Sequence, residues 1–160
     1  MAYTIKTEGV AEISEMLSKL GEAAEGAAAM GLYDGAGVMA GEMNKAAGSI
    51  RTEPFHFTLN GTRLPSPEEK AIVEQAAAGI ARFEKNGSEV NTSVGFRNAG
   101  YAFLKNKVKP IPVIVNAINS GTSFMKKQPF VRKAVNSGKG KATTAITAKI
   151  EEIFKNITKE

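Results

Sequence analysis

The sequence predicts an α+β domain: N-terminal helices, a small mainly antiparallel sheet, and a C-terminal helix packed on that sheet. Three observations carry this. Apolar residues near both ends recur at helical spacing, and the middle of the chain alternates in the manner of strands. Hydrophobic content is 42% against 23% charged, the balance of a globular chain. At 160 residues the whole reads as one domain, able to bury roughly 70% of its unfolded surface without staples.

Val10, Ile13, Leu17 and Leu20 lie at i, i+3, i+7 and i+10, a short amphipathic helix that Gly21 can end. A second helix runs from about Glu22 to Ile50 along Ala28, Leu32, Met39, Met43 and Ala46. Six glycines interrupt it, each costing about 1 kcal/mol against alanine. They predict close packing on another element or a break near Asp34 to Gly37, and the Gly31/Gly35 and Gly37/Gly41 pairs point to helix contacts, within the chain or between subunits. Phe55 to Leu59 alternates and precedes Asn60-Gly61, a hairpin signal that includes the single histidine, His56.

Ser66, Pro67 and Glu69 form a capping box for a third helix. Its apolar face is Ile72, Val73, Ala76, Ile80 and Phe83, and Asn86-Gly87 closes it. Val90 to Phe96 reads as a strand, and Tyr101 to Leu104 as a short helix or strand. Ile111 to Ile118 is rich in β-branched residues and reads as a strand that Pro112 places at an edge. Pro129 opens a helical segment that Ser137-Gly138-Lys139-Gly140-Lys141 breaks as a basic hinge. The last helix follows Ile146, Ile150, Ile153 and Ile157.

Composition narrows the chemistry. Without cysteine there is no disulfide, thiolate site or cysteine nucleophile, and one histidine excludes a multi-histidine metal site. The Gly138 to Thr143 stretch is not a phosphate loop: Val135 stands where a glycine is needed, and Ala142 where Ser or Thr must follow the lysine. No paired carboxylates, serine elbow or zinc motif completes a catalytic constellation, so the expectation is a non-enzymatic protein with no cofactor and no metal. The start of the chain shows no apolar signal core, and its longest charge-free run, Pro110 to Met125, is too short to span a bilayer. Both favour a soluble protein made in the cytoplasm.

Charge is unevenly placed. Residues 1–60 carry four basic against eight acidic side chains, and residues 97–160 thirteen against three. Between Arg97 and Lys141 stand ten basic residues and no acidic one. Such a block is a solvated face, or it meets an anionic partner or an acidic neighbouring subunit. Lys105, Lys107 and Lys109 would share one face of an extended strand, and Lys126, Lys127, Arg132 and Lys133 flank Pro129-Phe130. Phosphate contact needs only such charges, which makes a small basic nucleic-acid-binding protein the alternative reading.

The C-terminal half carries an ordered set of short motifs: Val94-Gly95-Phe96, Tyr101-Ala102, an apolar stretch ending in Asn119-Ser120-Gly121-Thr122-Ser123, then Gln128-Pro129-Phe130-Val131-Arg132-Lys133-Ala134 and an amphipathic helix. Together with the N-terminal helices this resembles the small tail-component family of tailed bacteriophages, the head–tail connector or tail-completion proteins. The likeness covers about residues 90–157 well and 10–50 loosely. It implies a strand leading to Gly121-Thr122 and a last helix opened by Pro129-Phe130. The family's frequent acidic residue before the Gly-Thr step is replaced by Asn119 and Ser120, and its short proline-containing loop by residues 54–87, which look like an insertion.

The resemblance implies structural work in a virion of a phage or prophage: an adaptor at the tail–head junction, commonly a homo-oligomeric ring, made in the host cytoplasm. Its partners would be tail-tube and head-connector proteins, with DNA passing close by in the channel and no membrane. Interface candidates are Lys105, Lys107, Lys109, Gly121, Thr122, Lys126, Lys127, Phe130 and Arg132. Phe130 equally suits a core anchor, Arg132 a helix carboxylate partner, and Gly121 a turn. The opposite charges of the two halves are expected to pair between neighbours around the ring.

Overall fold

The computed structural model describes residues 10–54, 61–87 and 89–157, with side chains from Ser18 onward except Lys19. The expected hairpin at Phe55 to Asn60, and His56 with it, lie outside the described residues. The fold is α+β and mostly helical. Helix α1 spans Val10–Gly48, α2 Pro67–Ala76, α3 Ile111–Ser120 and α4 Phe130–Ile157. Between them lie β1 (Gly79–Ile80), β2 (Glu84–Asn86), β3 (Glu89–Asn91), β4 (Val94–Gly95), β5 (Tyr101–Leu104) and β6 (Lys107–Pro110). They pair as three separate antiparallel ladders, β1 with β4, β2 with β3 and β5 with β6.

The two expected N-terminal helices are one, continuous through Gly21 and through Asp34 to Gly37. At 1.5 Å per residue its 39 residues extend about 58 Å. Antiparallel α4 explains two of its seven glycines, Gly31 and Gly35. A Cβ on Gly35 would lie 2.5 Å from Ile146 Cγ1, and one on Gly31 3.0 Å from Ile150 Cγ1. The approach is mutual: a Cβ on Gly138 would sit 3.1 Å from both Met39 Sδ and Glu42 Cγ. The Ser137 to Lys141 stretch is therefore not a hinge. α4 runs through it unbroken because its glycine seats α1. The expected sheet is not what carries α4, which lies along α1, with Lys141 Nζ 2.6 Å from Glu42 Oε1.

Helix α2 begins as expected. The Ser66 side chain accepts from the Glu69 amide, and the Glu69 carboxylate accepts from the Ser66 amide. It ends at Ala76, ten residues before the predicted Asn86-Gly87 stop. Ala77 turns to φ 47°, and the Ala78 amide donates to Asn44 Oδ1 of α1 at 2.7 Å. That tertiary bond overrides the helical spacing of Ile80 and Phe83. Asn86 instead ends β2, paired with Glu89, and Gly87 at φ 64° begins the turn to β3. The described part of the 54–87 segment is built into the fold, since Val73 is completely buried.

The segment 111–118 is helical, not a strand. Ile111, Ile114, Val115 and Ile118 are buried at i, i+3, i+4 and i+7, and a helix alone puts these on one side. Pro112 sits in the first turn, where its missing N–H costs nothing. The burial of these side chains overrides their strand propensity. They meet Met43, Ala47, Ile50, Val73, Phe96, Leu104 and Phe130 in a core at the C-terminal end of α1.

The glycines separate by environment. Gly37→Ala, with nothing within 4 Å of the new methyl group, should raise the unfolding free energy by up to about 1 kcal/mol. Gly35→Ala forces Ile146 to move and should lower it by about 1 kcal/mol or more. Urea unfolding of the two variants at matched low concentration checks the opposite signs.

Candidate functional site

The candidate residues fall on one hairpin, one loop and the first turn of α4. In the hairpin, Tyr101 pairs with Pro110, Ala102 with Lys109, Phe103 with Val108 and Leu104 with Lys107. Lys105 and Asn106 form a two-residue turn with φ of 50° and 60°, the left-handed pair that suits strand twist. Lys105 is thus a turn residue, and the expected row of three lysines on one strand face is reduced to Lys107 and Lys109. These share the face with Ala102 and Leu104, the latter buried. The opposite face carries Tyr101, Phe103, Val108 and Pro110, with the first three 74%, 66% and 66% exposed. Three large apolar side chains thus stand side by side in water.

The loop from Gly121 to Gln128 joins α3 to α4 and is internally fixed. Gly121 adopts φ 78°, and a Cβ there would lie 3.1 Å from the Lys127 backbone and from the Met125 carbonyl. Thr122 Oγ1 accepts from the Met125 amide at 3.0 Å and the Phe124 amide at 3.2 Å. The Gln128 side chain accepts from the Arg51 amide at 2.9 Å and donates to the Arg51 carbonyl at 2.8 Å. Asn119 Oδ1 accepts from the Val131 amide, tying α3 to the start of α4. Gly121 and Thr122 therefore shape the loop. The segment before them is helix α3, where the family resemblance implies a strand. Lys126 and Lys127 project from the loop and are exposed.

Phe130 is 2% exposed and packs edge-on against Phe96 at 6.1 Å, so it is a core anchor rather than an interface residue. Arg132, in the first turn of α4, is exposed. Lys109 and Thr122 come together at a groove of about 200 Å³, lined also by Val113, Phe124 and Met125. Arg63 and Glu69 lie at the same groove. Arg63 donates to both Glu69 oxygens, at 2.6 and 2.7 Å, and Glu69 is 5% exposed. Burial alone raises the Glu69 carboxyl. Hydrogen bonds from Arg63 and Ser66, with the nearby charges of Arg63 and Lys105, outweigh burial and hold it below the usual carboxylate range.

Among the described residues no group of three or more His, Asp or Glu could hold a metal ion, and no helix is long and apolar enough to cross a membrane. No family model, curated protein or solved structure matches this chain.

The exposed aromatics of the hairpin were the residues that sequence reasoning missed. Their signal was present: Tyr101 and Phe103 alternate with Ala102 and Leu104, and an Asn-containing pair precedes Val108.

Two outcomes follow. Phe130→Ala should destabilise by about 3–5 kcal/mol and Arg132→Ala by no more than about 0.5 kcal/mol, read by chemical unfolding. Because the folded Glu69 carboxyl sits below its unfolded value, its contribution is complete at neutral pH and is lost as pH falls through the folded value. Glu69→Gln should cost about 2 kcal/mol at pH 7 and flatten the acid limb of the stability–pH profile.

Proposed function

We propose that this chain is a structural virion protein of a tailed phage or prophage, a tail-completion or neck adaptor between tail tube and head connector that works as a ring. The observation that carries the reading is the exposed apolar face of the β5–β6 hairpin, Tyr101, Phe103, Val108 and Pro110, beside the lysines of its turn and second strand. A surface of this composition is suited to docking on another protein rather than to transforming a small molecule.

The ordered motifs of residues 94–134 support the same reading. Gly121, Thr122, Gln128 and Phe130 together fix how α3 hands over to α4. An adaptor needs such a rigid junction, because its docking faces must keep a constant mutual orientation. α3 in place of a strand departs from the resemblance and leaves the loop and the helix start as its matching parts.

Removing the coding sequence from the phage or prophage should leave filled heads and completed tails that do not join, visible by negative-stain electron microscopy. Intact infectious particles formed without the protein would overturn the assignment.

A further inference from the structure

Two exposed apolar surfaces with opposite electrostatic surroundings lie on separate elements of this chain. One is the outer face of the β5–β6 hairpin. The other is a stripe along α1, where Gly26, Met30, Tyr33, Gly37 and Gly41 follow at i, i+4, i+7, i+11 and i+15 and so share one side of the helix. Met30 is 53% and Tyr33 58% exposed, and a Cβ added at Gly26, Gly37 or Gly41 would meet nothing within 4 Å. Gly31 and Gly35 are explained by α4; these three are not, although each costs helix stability. Without side chains they leave shallow hollows either side of Met30 and Tyr33, into which another backbone or ring can settle.

The surroundings are complementary. From Leu20 to Asn44 the chain has four acidic residues and no basic one, whereas from Arg97 to Lys133 it has eight basic residues and no acidic one. Part of the acidity is used internally, Glu25 by Lys85 and Glu42 by Lys141. Glu22 continues the stripe one turn earlier and Asp34 borders it. Lys105 and Lys107 lie at the tip of the hairpin.

We propose that the apolar face of the hairpin of one copy docks on the glycine-lined stripe of α1 of the next copy, with the basic tip of the hairpin at the end of the stripe that carries Glu22 and Asp34. The inference rests on the ring reading above and gives it its interface. Because the two patches are different, the contact is heterologous: each copy uses one patch on each neighbour, and the series closes into a ring when its rotation permits.

The test uses two exposed substitutions whose circular dichroism melts should match wild type. Phe103→Asp disables the hairpin, and Gly37→Arg fills the stripe and repels the lysines. In sedimentation velocity at micromolar concentration, wild type should run as an oligomer and each variant alone as a monomer. An equimolar mixture should give a heterodimer and nothing larger, since one intact patch of each kind remains. The absence of cysteine allows a second reading: Phe103→Cys and Met30→Cys chains, mixed under mild oxidation, should crosslink to each other in preference to themselves. A wild-type monomer overturns the proposal, as does either variant assembling alone or a mixture that does not associate. An oligomer that survives both substitutions sinks this interface but leaves the adaptor reading intact. Loss of binding to a labelled oligothymidylate or to purified tail tubes on Phe103→Asp, with wild type monomeric, would assign the hairpin to that other partner.

Discussion

The close approach of α1 and α4 is the constraint on which the rest of the molecule depends. Three glycines, Gly31, Gly35 and Gly138, let the two helices meet with Ile146, Ile150 and Met39 at their seam. The helices leave the core side by side, and the core gathers at the end where α1 finishes and α4 begins. α3 and the loop to Gln128 are then fixed against that end through Arg51, Asn119 and Phe130. A bulkier residue at the seam would disturb the seating of the helices, and with it the loop that is fixed against their core end.

The β5–β6 hairpin is tied in on one face only. Leu104 reaches the core, while the outer face meets water. Leaving Tyr101 and Phe103 exposed forgoes the roughly 1.5–3 kcal/mol that burying such a side chain contributes. These rings stand outside, next to a block of positive charge, and it is this composition that the proposed association uses. The buried Arg63–Glu69 pair has another role. It joins the start of α2 to the strand-like bridge between Arg63 and Met125, so that the groove below the hairpin keeps its shape.

The sequence made some elements legible and concealed others for identifiable reasons. The Ser66 capping box and the Pro129 helix start are local, and both appear where their residues predict. The Ile111 to Ile118 segment defeated its strand propensity because a continuous apolar run fits two periods; only the buried set of positions distinguishes them. Ile80 and Phe83 extended the spacing of α2 beyond its end, because the stop is a tertiary bond from Ala78 to Asn44. Glycines at 138 and 140 looked like a break because the partner that accommodates Gly138 lies far away in the chain. Of the interface candidates, the lysines were readable as charge, whereas the role of Gly121 in the loop and the burial of Phe130 required the packing.

The pairing of the first helix with the last has a consequence for synthesis. Glu42 and Lys141 are 99 residues apart, and the seam glycines lie at similar separations. On the ribosome α1 emerges long before α4 exists, so the side of it that meets α4 must wait, uncovered, until about 99 further residues have been made. The nascent chain is thus exposed to premature association with other nascent copies, and a chaperone holding α1 would have the longest task during translation.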